Sequence, residues 1–105
     1  MATMHQLLSI LSSHIGQDHG ISARQLALAL DVPERQIRSL VSDLREEGHA
    51  IAALPEAGYF IAQNAAELES CCAFLRSRAL HSLRLEAQMR RISLADLVGQ
   101  LRLRT

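Results

Sequence analysis

The 105-residue chain has no lysine and no tryptophan, and only three aromatic side chains, Tyr59, Phe60 and Phe74. Without aromatics the interior has to be built from Leu, Ile, Val and Ala, and a hydrophobic fraction of 49% supplies enough of them to exclude a disordered chain. No uncharged apolar run approaches the ~20 residues that cross a bilayer. The opening stretch MATMHQLLSI lacks the positive region and small-residue cleavage site of a signal peptide, so the expectation is a cytoplasmic protein with no membrane partner. Two cysteines, Cys71 and Cys72, are adjacent. On a helix they point about 100° apart, no CxxC accompanies them, and buried structural thiols are expected over a redox or metal role.

Other chemistry is missing too. The five histidines, His5, His14, His19, His49 and His81, show no HExxH or comparable ligand spacing. There is no GxSxG, no glycine-rich phosphate cradle and no carboxylate pair in a recognisable context. The expectation is a protein that is not an enzyme and has no metal and no cofactor.

Arginine is abundant: eleven, against eleven carboxylates, for a net charge of zero. The distribution is uneven. Residues 1–62 hold four arginines and seven carboxylates, a net of −3, and residues 63–105 hold seven and four, a net of +3.

Met4, Leu7, Leu8, Leu11 and Ile15 share one side of a helix, which predicts a first helix from Met4 to Ile15 stopped by Gly16. Ile21 is expected to form a short strand. Ser22-Ala-Arg-Gln25 fits a capping box that opens a second helix to Leu30. Asp31-Val32-Pro33 breaks it, and the fixed φ of Pro33 suits the first turn of a third helix. There Ile37, Leu40, Val41 and Leu44 recur at i, i+3, i+4 and i+7, and Gly48 ends it. The period then changes. His49–Leu54 and Tyr59–Ala62, with Pro55-Glu-Ala-Gly58 between them, predict a β-hairpin.

Asn64-Ala-Ala-Glu67 is a capping-box start for a long helix to about Arg91. That helix carries two apolar stripes, one of Leu68, Cys72, Leu75, Ala79 and Leu83, the other of Phe74, Leu85, Met89 and Ile92. Ser93-Leu-Ala-Asp96 opens a last helix with Leu94, Leu97, Val98 and Leu101 on one face, ending near Leu103. The predicted fold is mainly α with a small β-hairpin: a winged helix-turn-helix domain over 1–62 and a helical extension over 63–105.

Helix, short strand, helix-turn-helix and hairpin, in that order, resemble the winged helix-turn-helix family, especially the small type at the amino terminus of biotin-ligase repressors. Ala27, Val32, Ile37 and Leu40 carry the match, with LREEGHAIAALPEAGYFIA resembling the run from recognition helix into wing. Two positions depart from the pattern. Asp31 stands where the family has glycine at the turn, and the wing carries Glu56 and no cation.

The resemblance implies a DNA-reading face. Arg35 and Arg38 are placed to fork onto guanine, Gln36 to pair with adenine, and Ser39 and Ser42 to reach base edges or phosphate. Arg24 and Gln25, at the start of the second helix, are candidates for phosphate contact. Alternatively, the face is solvated surface and Gln25 a capping partner. The seven C-terminal arginines, Arg76, Arg78, Arg84, Arg90, Arg91, Arg102 and Arg104, read as phosphate contacts or as solvated helix faces.

Together these predict a DNA-binding transcriptional regulator, of a phage or prophage type, binding double-stranded DNA through helix 33–47 as a homodimer. Phe74, Leu85, Met89, Ile92, Leu97 and Leu101 are the expected dimer interface. The alternative is a winged helix that docks a protein partner, an adaptor or inhibitor of a host or phage complex, without sequence-specific DNA binding. The net −3 of residues 1–62 favours it.

Overall fold

The computed structural model describes residues 3–101. It is mainly helical with one hairpin: α1 (Met4–Leu11), α2 (Ala23–Leu30), α3 (Glu34–Glu46), β1 (Ile51–Leu54), β2 (Gly58–Ile61), α4 (Ala65–Arg90) and α5 (Leu94–Leu101). A 3₁₀ turn, Gln17–His19, lies between α1 and α2. The chain divides into two compact units, Met1–Cys71 and Cys72–Thr105.

In the first unit Leu7 and Leu11 of α1, Leu26 and Ala27 of α2, and Ile37, Leu40, Val41 and Leu44 of α3 close on one core with Ile51. The apolar stripe of α3 is buried at all four positions. A second cluster joins Ala52 and Phe60 of the hairpin to Cys71.

α1 opens with a capping box that the sequence reading passed over. The Thr3 hydroxyl accepts from the Gln6 amide at 3.3 Å, and the Gln6 side chain accepts from the Thr3 amide at 2.9 Å. The helix stops at Leu11, four residues short of Ile15. Ser12 turns its hydroxyl back onto the Ser9 carbonyl, and His14 and Ile15 leave the helix for the hairpin: the Ile61 amide donates to His14 O at 2.9 Å. Ile15 pairs with Ile61 and Ile21 with Tyr59 as single bridges, the latter in the position expected for a short strand.

The Ser22–Gln25 capping box is present in both directions. Asp31 takes the left-handed conformation, φ 55° and ψ 51°, and the Val32 amide closes onto Ala27 O at 3.0 Å. Pro33 lies one position earlier than expected, at the N-cap of α3, with extended ψ. α3 ends on Gly48 at φ 94°, with the His49 amide donating to Leu44 O at 3.0 Å. α4 ends in the same way on Arg91: φ is 57°, and the amides of Arg91 and Ile92 donate to Gln88 O and Ala87 O. Three helices therefore use one terminating geometry, and only α3 has glycine for it.

β1 and β2 are antiparallel, with Ile51 opposite Ile61 and Leu54 opposite Gly58. β1 is two residues shorter than predicted, with the His49 amide taken by the α3 terminus, and β2 has the predicted length shifted one residue toward the turn. α4 is one continuous helix of 26 residues, unbroken at Ser82. In the second unit Ala87 and Leu97 are buried, and Ser93 caps α5 by accepting from the Asp96 amide at 3.1 Å. Arg102, Leu103 and Arg104, named in the sequence reading, lie outside the described residues.

A Cβ at Gly20 would run into the Ala57 carbonyl oxygen, a backbone atom that cannot rotate away. Gly20→Ala is expected to lose about 1–3 kcal/mol, or to fail to fold, in chemical denaturation. At Asp31 the left-handed conformation disfavours any Cβ, and Asp tolerates it better than most residues. Asp31→Gly should gain about 0.5 kcal/mol, and Asp31→Val should lose at least about 1 kcal/mol, in the same measurement. The order Gly, Asp, Val is the readout.

Candidate functional site

α2 begins SARQLALAL, and its leucines do not share a face. Leu26 is buried and Leu30 half-buried, but Leu28 lies about 200° round from Leu26 and projects outward, 74% exposed. It lines an open hollow of about 430 Å³ between α2 and α3, with Arg24, Ala27, Asp31, Val32, Pro33 and Glu34. The hollow thus sets one exposed apolar side chain beside two carboxylates, Asp31 and Glu34, and one cation, Arg24. Neither Leu28 nor the hollow was singled out by the sequence reading, although the spacing from Leu26 carried the signal.

The outward side of α3 holds the residues expected to read DNA. Arg35, Arg38, Ser39 and Ser42 are exposed and Gln36 is half-buried, its amide bonded to Pro33 O at 3.0 Å. Arg24 is exposed beside the hollow. Gln25 is exposed and occupied: its side-chain oxygen accepts from the Ser22 amide at 3.3 Å. Arg45 is turned onto the hairpin, its Nε donating to Ile51 O at 2.8 Å. From Glu34 to Glu47, three arginines face four carboxylates, Glu34, Asp43, Glu46 and Glu47, and the wing adds Glu56. This surface does not carry the positive field that draws a protein onto a phosphate backbone.

The charge contrast sharpens when it is counted over the compact units. Met1–Cys71 contains four arginines and nine carboxylates, a net of −5; Cys72–Thr105 contains seven and two, a net of +5. In the second unit Arg90 is paired with Glu86 at 2.7 Å and Arg78 lies over the Phe74 ring at 6.0 Å. Arg76, Arg84 and Arg91 have no carboxylate partner among the described residues. Of the residues expected at a dimer interface, Leu85, Met89 and Leu101 are exposed, Phe74 and Ile92 half-buried, and Leu97 buried within its own chain. Cys71 is buried against Ala52 and Phe60, while Cys72 is exposed, against expectation, because the 100° step carries it off that face.

Glu67 ties the start of α4 to the segment after α1 in a way the capping-box pattern does not predict. Asn64 does cap α4, accepting from the Glu67 amide at 2.9 Å. The Glu67 carboxylate bypasses the Asn64 amide and accepts from Gln63 N at 2.9 Å and from Gln17 N at 3.0 Å. The Gln63 amide first, and the Gln17 amide second, hold its carboxyl below the usual carboxylate range. No group of histidine, cysteine and carboxylate side chains placed to hold a metal occurs among the described residues. No described helix is long and apolar enough to cross a membrane.

Fold and surface define a small winged-helix unit, acidic outside, with Leu28 projecting from α2 and a basic helical unit after it. The chain belongs to the replication protein A C-terminal family, which matches residues 1–54, from the amino terminus through β1. No curated protein and no solved structure matches the chain. The family corrects the resemblance to biotin-ligase-type winged helix-turn-helix regulators: the fold is the expected one, but the membership is not. It also overturns transcription regulation by a DNA-binding phage or prophage regulator, and the balance of charge on α3 gives the physical reason.

Glu67→Gln tests the clip. A carboxylate whose folded pKa is lowered stabilises above its unfolded pKa and loses that contribution as pH falls through the folded value. The wild type should therefore exceed the variant in denaturant midpoint at neutral pH. The gap should close as pH falls below about 4. A gap independent of pH would mean the carboxylate charge is not what the two amides recognise.

Proposed function

We propose that Met1–Cys71 is a protein-docking domain that works within a DNA replication complex, holding a basic segment with an apolar anchor. The observation that carries this is Leu28, 74% exposed in a hollow lined by Asp31 and Glu34 against one cation, Arg24, on a unit of net charge −5. An aliphatic anchor in a concave site with a charged rim is how few residues dominate an interface. The acidic surroundings repel a phosphate backbone and steer a cationic peptide, which sets the sign of the partner. The family, described as replication protein A C terminal, supports the replication setting.

The absence of lysine fixes the experiment. Amine-directed cross-linkers have no side chain to attack, so the full chain is cross-linked through its carboxylates in cells and the attached peptides are sequenced. Replication proteins are expected among the partners, joined through Asp31, Glu34 or neighbouring carboxylates. Leu28→Ser combined with Glu34→Arg should lower their recovery about tenfold or more, and Arg35→Ala combined with Arg38→Ala should leave it unchanged. The reading fails if replication proteins are absent, or if a selected duplex sequence binds and is lost in the two-arginine variant.

A further inference from the structure

α4 is exposed over most of its length, although a helix of 26 residues bearing Leu75, Leu85 and Met89 has large apolar side chains to cover. Arg78, Leu85 and Met89 follow at i, i+7 and i+11 and share one stripe of the helix surface. Met89 is 85% exposed and Leu85 49%. Arg78 stacks over Phe74, which holds its guanidinium along the same stripe. This stripe presents a cation beside apolar side chains. The hollow of the first unit, lined by Asp31 and Glu34 against the single cation Arg24, carries a net charge of −1 beside the apolar Leu28. The two surfaces are complementary in charge and alike in apolar character.

From this we infer that the chain self-associates head to tail, the α4 stripe of one copy docking on the α2–α3 hollow of a second copy. Three constraints select this arrangement. Pairing two second units would set a net +5 against +5, and pairing two first units −5 against −5; only the unlike contact is attractive. The whole chain is neutral, so association meets no net repulsion between copies. A phosphate backbone would satisfy the arginines and leave Leu85 and Met89 uncovered, whereas a protein surface satisfies both. A heterologous contact of this kind leaves one free stripe and one free hollow at the ends, so the assembly grows with concentration unless its rotation closes a ring.

This inference rests on the first unit being a protein-docking surface. Light scattering on the full chain should give a mass above 11.6 kDa that rises with concentration at about 0.1 M salt. The mass should fall back to 11.6 kDa at about 1 M salt, where screening acts beyond about 3 Å. Two variants separate the ends. Leu28→Ser with Glu34→Arg disables the hollow, and Arg78→Glu with Met89→Ser disables the stripe. Each alone should be a monomer, and an equal mixture should form a complex of two chains, from the intact hollow of one and the intact stripe of the other. All four side chains are exposed, so helix content by circular dichroism should be unchanged. Glu34→Gln and Arg78→Gln should weaken the association without abolishing it.

A wild-type monomer at the lower salt overturns the inference, as do variants that still self-associate alone or a mixture that stays monomeric. A monomer that shifts a labelled DNA duplex in a salt-dependent way overturns it too, and gives the arginines to phosphate. A monomer that still recovers replication proteins sinks this inference and leaves the docking function standing.

Discussion

A two-stranded hairpin is marginal alone in water, and the fold depends on what stitches this one down. Four backbone hydrogen bonds do so. Gly16 and Ile21 donate to Ile61 and Tyr59, and Tyr59 and Ile61 donate back to Ile21 and His14, at 2.7–2.9 Å. They form only if the chain between α1 and α2 runs close along β2, which requires α1 to stop at Leu11 and residue 20 to lack a Cβ. The same run ends on Ser22, the cap of α2. The direction in which α2 leaves the hairpin, and with it the hollow against α3, is set by these bonds. Glu67 secures the same segment from the other side through the Gln17 amide. Phe60 and Ala52 then close over Cys71.

What was legible in the sequence had a local physical cause. Ile37, Leu40, Val41 and Leu44 repeat with the helix period, and all four are buried. The Ser22–Gln25 box and the Asp31 turn are decided within a few residues, and both are present. What was not legible depended on partners distant in the chain. α1 was read through to Ile15 because its apolar period continues, but the Ile61 amide, far along the chain, takes His14 out of the helix. Glu67 was read as a cap for Asn64, and its second bond crosses fifty positions to Gln17. Cys72 was read with Cys71, yet a helix separates the two by a quarter-turn and only one meets the core. Of the candidate docking surface, the charge was visible and the projecting Leu28 was overlooked. A leucine among leucines reads as core until its angle is counted.

The family likewise lay beyond periodicity. Helix order and wing position specify a backbone arrangement, and one arrangement serves partners of opposite charge. What separates those uses is the field on the outer side of α3, which helix order and wing position do not encode. Arg35 and Arg38 look like base-reading residues until Glu34, Asp43 and Glu46 of the same helix and its C-cap Glu47 are counted and Arg45 is found bonded to Ile51 O. Membership in the replication protein A C-terminal family and this charge balance point the same way.

A net charge of zero conceals a segregation of charge along the chain. The division at Cys71–Cys72 separates a −5 unit from a +5 unit, and it falls inside one continuous helix. Charges of one sign gathered on each unit are self-repulsive, and dispersing them would ease both units. Keeping them apart has a consequence at the surface: each unit repels its own kind and attracts the other, so contacts between like units are disfavoured before any side chain is fitted. Among the exposed apolar side chains, Leu28 lies on the acidic unit and Leu85 and Met89 on the basic one, so the proposed head-to-tail contact covers them with a surface of opposite charge. Arginine suits this arrangement better than lysine. Its planar fork binds a carboxylate through two bonds and stacks on an aromatic ring, as Arg78 does on Phe74. In the proposed contact, selectivity comes from the segregation, and affinity is left to a few exposed aliphatic side chains.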